Sequence, residues 1–248
     1  MTLTLELQTA PPGRVDAAAL TLPGDDVAAR TLRCGRERLL VGDLFAVSGR
    51  HDGSVRLAGD LRRFDWIARG LEGGEVVVDG DAGAWAGAEL RGGRLTVHGS
   101  AGDRLGGAAP GARSGMSGGE IVVTGDAGEE TGAGMRRGLV AIGGRAGAGA
   151  GLRMLAGTVI AFGGLGPEAG MGNRRGSLVS GVPVTPLPGY AFATRVRPPA
   201  LGLQLRRVRA LGLPVDTALV TGRWARWSGD RLELARGELL IFDDEGGP

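Results

Sequence analysis

Six short, mostly aliphatic runs recur along the chain between Glu75 and Ser180, and a glycine precedes each of them. The runs are Glu75-Val76-Val77-Val78, Arg94-Leu95-Thr96-Val97, Glu120-Ile121-Val122-Val123, Leu139-Val140-Ala141-Ile142, Thr158-Val159-Ile160-Ala161 and Ser177-Leu178-Val179-Ser180. The preceding glycines are Gly74, Gly93, Gly119, Gly138, Gly157 and Gly176, at steps of 19, 26, 19, 19 and 19 residues. One unit is therefore longer than the others, and we place its additional residues between Ser100 and Ser117. A fixed period is typical of stacked repeats, in which no unit buries its apolar face alone.

The length of the repeat predicts the fold class. A unit of 19 residues is too short for a strand, a crossover helix and a second strand, which need about 30 residues. We therefore predict an all-β fold, a right-handed parallel β-helix of glycine-rich coils, with two interior positions in every strand. The predicted inner columns are Val76, Leu95, Ile121, Val140, Val159 and Leu178, and then Val78, Val97, Val123, Ile142, Ala161 and Ser180.

Two further columns have a structural and a chemical interpretation. Leu71, Leu90, Met116, Met135, Met154 and Asn173 share a third register. Methionine suits irregular gaps in a core, whereas metal ligands would converge on one point instead of stacking one per coil.

Repeated glycines such as Gly128, Gly147 and Gly166 predict tight corners. A phosphate-binding loop would lie between a strand and a helix and, in its Walker form, would contain lysine, which this chain lacks.

The periodic segment divides the chain into three predicted parts. They are an entry segment (1–37), the repeat region (38–181) and a C-terminal tail (182–248), which we expect to pack on the repeats. Val41 to Val47 resembles a first coil. In the tail, Ala200 to Leu211 has helical spacing and Glu238 to Phe242 predicts a last strand.

The middle position of each strand forms an outer column that is mostly apolar. Its members are Val77, Thr96, Val122, Ala141, Ile160 and Val179. A large exposed apolar patch marks a binding surface, but the C-terminal tail could cover the same residues. The sequence leaves both alternatives open.

Composition excludes several classes of protein. All 29 basic residues are arginines, and the net charge is only +2, without the basic stripe and interleaved aromatics that nucleic-acid binding favours. Cys34 is the only cysteine, and the two histidines, His51 and His98, are far apart in the repeat, which disfavours a metal site in this chain. Met1 to Gln8 lacks a secretory pattern and no apolar run approaches about 18 residues, so we expect a cytoplasmic protein with no membrane partner.

The repeated Gly-Asp-Ala-Gly (80–83 and 125–128), the glycine corners and the methionine column resemble the glycine-repeat β-helix of two groups of proteins. One is the C-terminal domain of glutamate synthase and the other is the glycine-repeat subunit of formylmethanofuran dehydrogenase. The length, Val-Gly-Asp-Leu-Phe at 41–45 and the segments Ser-Gly-Asp and Arg-Gly-Glu-Leu within 228–239 favour the second group. The resemblance covers about residues 38–242.

This resemblance implies a non-catalytic structural subunit of a larger enzyme. The arginine-only, alanine- and glycine-rich composition favours the bacterial formyltransferase/hydrolase complex. That complex moves formyl from tetrahydromethanopterin to methanofuran and releases formate, in the one-carbon metabolism of methylotrophs. The alternative is the glycine-repeat subunit of a tungsten or molybdenum formylmethanofuran dehydrogenase. The implied partners are amidohydrolase-like and formyltransferase subunits in a hetero-oligomer, and these would hold the metal and methanofuran; we expect no cofactor on this chain.

Candidate chemistry in the chain itself is sparse. Asp79, Asp81 and Asp126 are the residue types that a β-helix carbohydrate-active enzyme would use, but an Asx turn explains Asp81 and Asp126 more simply. No catalytic residue is therefore assigned. The resemblance implies a carrier with a polyglutamylated tail, for which Arg136, Arg137, Arg174 and Arg175 are candidate contacts. These pairs lie 38 residues apart, which places them about 10 Å from each other if every unit adds one strand spacing. A solvated arginine ladder is the plainer interpretation.

Overall fold

The computed structural model describes residues 2–24 and 26–243, which are mostly strands with a few short helices. The strands are β1 Leu3–Leu7, β2 Val15–Asp16, β3 Thr31–Cys34, β4 Glu37–Leu40, β5 Phe45–Ser48, β6 Ser54–Ala58, β7 Phe64–Asp65, β8 Glu75–Asp79, β9 Arg94–Val97, β10 Ser117–Val123, β11 Arg137–Ile142, β12 Thr158–Ala161, β13 Ser177–Ser180, β14 Ala191–Val196, β15 Arg223–Gly229 and β16 Gly237–Asp243. The helices are α1 Val41–Leu44, α2 Pro199–Ala210 and α3 Thr217–Thr221, with 3-10 turns at Ala18–Thr21 and Val27–Ala29.

The repeat strands lie side by side in one sheet of 12 strands, in the order β14-β15-β16-β13-β12-β11-β10-β9-β8-β6-β1-β5. From β8 to β13 every pair is parallel, and the register is the one that the glycine period predicts. Val76 lies opposite Leu95, and Ile121 lies opposite both Leu95 and Val140. The sheet is mixed as a whole, because β5, β14 and β15 join its two ends in antiparallel pairs.

A second line of parallel contacts runs through the Gly-Asp segments of the repeats. Single bridges join Leu61, Ala82, Ala101, Ala127, Ala146 and Leu165 in sequence. Every member of this line is buried. Each repeat unit therefore contacts its neighbours at two places, once through its strand and once through its alanine or leucine bridge.

The predicted inner columns form the core. Both columns are at most 1 % exposed from Val76 and Val78 through Leu178 and Ser180. Met116, Met135 and Met154 are fully buried beside them, as the packing interpretation of the methionine column predicts. Burial of a valine, leucine or methionine side chain contributes about 1.5–3 kcal/mol, so these columns supply the main stabilising interaction of the repeats.

The described part of the C-terminal tail covers much of the outer column. Five sheet residues form a second core with the tail: Val122, Leu139, Ala141, Ile160 and Val179. Leu201, Leu205 and Val208 of α2 pack there together with Trp224 of β15. Of the two alternatives that the sequence left open for the outer column, coverage by the tail applies to the units from β10 to β13.

The predicted tail elements are confirmed, but the predicted first coil is wrong. Helix α2 and strand β16 lie within one residue of the segments expected from the spacing of apolar residues. Val41 to Leu44 instead forms the single helical turn α1, and β5 pairs antiparallel with β1 at the edge of the sheet. Strands β2, β3, β4 and β7 form a separate four-stranded sheet.

A buried polar network closes the C-terminal end of the methionine column. Asn173 is fully buried, and its amide nitrogen donates hydrogen bonds to the Gly176 carbonyl (2.9 Å) and the Tyr190 hydroxyl (3.3 Å). The Tyr190 hydroxyl donates in turn to the Gly170 carbonyl (3.0 Å). Burial raises the pKa of Tyr190 to about 12, so the phenol stays a neutral donor at physiological pH.

Candidate anion-binding site

The candidate site lies at the corner where each repeat turns into its strand. Directly after the methionine column, successive units place two residues at this corner. The first position reads Glu72, Arg91, Ser117, Arg136, Leu155 and Arg174, and the second reads Gly73, Gly92, Gly118, Arg137, Ala156 and Arg175. The arginine pairs thus alternate with a small apolar pair, Leu155-Ala156, in the unit between them.

Backbone hydrogen bonds to the methionine column hold this corner. The Arg136 N–H donates to the Met116 carbonyl (2.8 Å), the Leu155 N–H to Met135 (2.8 Å) and the Arg174 N–H to Met154 (2.9 Å). Because the methionines are buried, each corner is fixed to the core of the preceding unit. The arginine side chains therefore project from a rigid base.

The structure brings the four predicted arginines together around one cavity of about 470 Å³. Leu155 and Ala156 line the cavity with them, and Leu234 of the C-terminal tail completes it. We call this the four-arginine cavity. All four arginines are exposed, so solvent and a ligand can reach them.

The four-arginine cavity carries a local excess of positive charge. Glu233 of the tail pairs with Arg174 at 3.1 Å. Within residues 2–24 and 26–243, no acidic side chain forms an ion pair with Arg136, Arg137 or Arg175. Arginine presents a planar set of donors that matches carboxylates and phosphates in a bidentate manner, so the arrangement suits an oxyanion.

A second cavity, of about 910 Å³, adjoins the first and shares Leu155 and Arg174 with it. Residues 108–113 of the longest repeat unit form part of its wall, so we call it the insertion cavity. Its arginines are Arg104, Arg113, Arg153 and Arg174.

Sequence reasoning missed Arg104, Arg113 and Arg153, because it considered only arginines that repeat in one register. The irregular length of the longest repeat unit was the signal that could have indicated Arg104 and Arg113, which lie within it.

The aspartates considered for carbohydrate chemistry have structural partners. The Asp81 carboxylate accepts a hydrogen bond from the Ser100 N–H (2.7 Å), and Asp126 accepts one from the Arg145 N–H (2.7 Å). These bonds join neighbouring repeat units, so they replace the Asx turns inferred from the sequence. Asp79 lies between Arg56 and His98, with its carboxylate 3.0 Å from the His98 ring. Each carboxylate therefore already serves the stacking of the units.

Neither a metal site nor a membrane span is present in the part of the chain that the structure describes. No three His, Cys, Asp or Glu side chains lie close enough together there to hold a metal ion. No helix among those residues has the length and apolar character that a membrane span requires.

The chain is similar along nearly its whole length to a protein of known structure. The match is a chain in the crystal structure of the formyltransferase/hydrolase complex (FhcABCD) from Methylorubrum extorquens in complex with methylofuran. The two chains are 33 % identical, the match covers 96 % of this chain and 98 % of the other, and the TM-score is 0.81. No protein-family model and no curated protein matches the chain.

Proposed function

Because this chain belongs to the family of the matched subunit of the formyltransferase/hydrolase complex, we propose that it is the corresponding subunit of such a complex. The assembly would transfer formyl from tetrahydromethanopterin to the furan carrier and release formate. The observation that carries the proposal is the 33 % identity over 96 % of this chain and 98 % of the matched one. A similarity of that extent covers the repeats and the tail together, and not the repeat pattern alone.

The proposed role within the complex is structural and non-catalytic. The carboxylates of Asp81 and Asp126 are engaged by backbone N–H groups of the next repeat unit, which supports a function in stacking. Amidohydrolase-like and formyltransferase subunits are the proposed partners in a cytoplasmic hetero-oligomer, and they would carry the metal and the chemistry.

The proposed architecture of the repeat region is a right-handed parallel β-helix, with an entry segment (1–37), the repeats (38–181) and the C-terminal tail (182–248) as its parts. The parallel register from β8 to β13 and the second line of bridges from Leu61 to Leu165 support it. A stack of this kind presents long, rigid faces, which suits a subunit that holds others in place.

We further propose that the four-arginine cavity binds the anionic tail of the carrier. Arg136, Arg137, Arg174 and Arg175 line one cavity, and three of them lack an acidic partner among the described residues. A tail of repeated carboxylates would gain charge-assisted hydrogen bonds there. The cavity would retain the carrier while its reactive end moves between active sites on other subunits.

Affinity capture of the tagged chain from its native cell tests the complex. We expect amidohydrolase-like and formyltransferase subunits to co-elute in fixed ratio, with formate-releasing activity in the eluate. A monomer without partners would contradict the proposal. Co-elution of a subunit that holds tungsten or molybdenum would instead assign the chain to a formylmethanofuran dehydrogenase.

A further inference from the structure

The insertion cavity is built by the one repeat unit that is longer than the rest. Residues 108–113 wall it on one side, and Ala133, Gly134 and Leu152 of the following units line it. It continues directly into the four-arginine cavity, since Leu155 and Arg174 line both. The two cavities thus lie along the same corner of successive units.

The charges of the insertion cavity leave two arginines available. Its two acidic residues are already engaged, since Glu130 pairs with Arg104 at 2.9 Å and Glu233 pairs with Arg174 at 3.1 Å. Across the residues that the structure describes, Arg113 and Arg153 form no ion pair with an acidic side chain. The cavity therefore carries a net positive charge at these two positions.

Arg153 occupies a backbone conformation that favours glycine. Its φ is 51°, and the residues at the same register in the units before and after it are glycines, Gly134 and Gly172, with φ of 66° and 72°. A non-glycine residue in this region carries a conformational penalty. Glu89, at the same register, adopts this conformation as well (φ 56°), so the backbone fixes the point at which the Arg153 side chain leaves the corner, and that point lies at the wall of the insertion cavity.

The uncharged lining restricts the class of ligand. Alanine, glycine, proline and leucine provide the remaining surface of the insertion cavity, and no aromatic side chain lines it or the four-arginine cavity among the described residues. Bases of a single-stranded nucleic acid would lack stacking partners there. Methylene groups that separate carboxylates would instead contact leucine and alanine while the carboxylates meet arginine.

We propose that the two cavities form one continuous site for an extended polycarboxylate, in which Arg113 and Arg153 bind carboxylates beyond the reach of the four-arginine cavity. This inference rests on the proposed function, because it extends the site proposed for the carrier tail. It adds selection by length. A short chain of carboxylates is satisfied within the four-arginine cavity, and only a longer chain reaches the insertion cavity.

Binding of oligoglutamates of two lengths to the purified full-length chain tests this inference. Fluorescently labelled probes of about three and about ten residues span roughly 10 Å and 33 Å when extended. In anisotropy titrations at low salt, the Arg113→Gln/Arg153→Gln variant should bind the long probe about fivefold more weakly than the wild type does. Its affinity for the short probe should be unchanged. Arg91→Gln is the matched control, because Arg91 shares the corner register but pairs with Glu72 away from both cavities.

The outcomes separate this inference from the proposed function. Equal binding of the long probe by the double variant and the wild type would overturn the extended site while leaving the four-arginine cavity intact. An RNA oligonucleotide of matched charge that competes as well as the long probe would overturn the assignment to polycarboxylates. Failure of the wild type to bind either probe would remove the proposed carrier site itself, and the extension with it.

Discussion

The N-terminal and C-terminal halves of the repeat region share the same interior but differ outside. Val78 of β8 and Val123 of β10 are both fully buried in the inner column. On the outer side, Val77 is only half-buried, whereas Val122 is 1 % exposed beneath the C-terminal tail. The inner columns therefore determine the stacking, and the tail makes the second half of the molecule distinct.

The corner of the repeats shows the same contrast in charge. In the first half, Glu72 pairs with Arg91 at 2.8 Å and neutralises it. In the second half, the two arginine pairs line one cavity and only Arg174 has an acidic partner among the described residues. The same repeat can therefore carry a neutral corner in one half and a positively charged corner in the other without any change of fold.

A charge in the inner column should have the greatest effect, and that effect should be equal in the two halves. Val78→Asp and Val123→Asp each place an unpaired carboxylate in the core, and we expect each to lower the free energy of unfolding by about 4 kcal/mol or more. Denaturant unfolding followed by circular dichroism measures this. A large loss in one variant and a small loss in the other would show that the halves do not share one interior.

The outer column should respond differently in the two halves. Val122→Asp buries a charge between the sheet and α2, so we expect a loss of about 2–3 kcal/mol and release of the tail. Val77→Asp is the matched control in the uncovered half, and it should cost less than about 1 kcal/mol. Limited proteolysis of the tail, together with fluorescence of the buried Trp224, distinguishes release of the tail from unfolding of the repeats. Equal sensitivity of both variants would contradict the difference between the halves.

Much of the fold could be predicted from the sequence, because the period of the glycines predicts which residues of neighbouring strands lie opposite each other. Val76 and Leu95 are one such pair, and the structure places them opposite each other. The tail contacts could not be predicted, since contacts such as Glu233 with Arg174 join residues far apart in sequence. The same limit applied to the outer column, where an apolar surface looks identical whether a partner or the tail covers it. Within the candidate site, the four arginines were predictable from their shared register. Arg113 and Arg153 were not, because Arg113 lies in the insertion and the neighbouring units have glycines at the position of Arg153.

The charged corner should affect carrier binding far more than stability. Replacement of Arg136, Arg137, Arg174 and Arg175 by glutamine should raise the apparent KM for the carrier about tenfold at low salt, and less at high salt, where screening weakens the attraction. The free energy of unfolding should change by less than about 0.5 kcal/mol, because these side chains are exposed. Arg91→Gln, at the neutral corner, should leave KM unchanged. An intact complex with unaltered KM at both salt concentrations would reduce the arginines to ordinary surface residues.

A still smaller effect concerns the ion pair that fastens the tail to the second half. Arg207 of α2 donates two hydrogen bonds of 2.9 Å to Glu120 and thereby lowers the pKa of that carboxyl, with Arg94 as a further partner. Glu120→Gln should cost about 1 kcal/mol or less.

The pH dependence of this contribution follows from the lowered pKa. The stabilisation is fully present above the ordinary glutamate pKa of about 4.3 and is lost as the pH falls through the lower pKa of the folded state. The difference in Tm between wild type and Glu120→Gln should therefore be constant near neutrality and shrink in acid. A difference that grows in acid would contradict the assignment.

Formate release by the reconstituted complex, measured with and without this chain, decides whether the subunit organises the carrier and leaves the chemistry to its partners. The purified chain alone should release no formate from the formylated carrier. The remaining subunits should lose most of their activity without it and regain that activity when it is added. The variant in which glutamine replaces Arg136, Arg137, Arg174 and Arg175 should restore assembly of the complex but not the low KM for the carrier. Formate release by the isolated chain, or full activity of the complex without it, would contradict the proposed role.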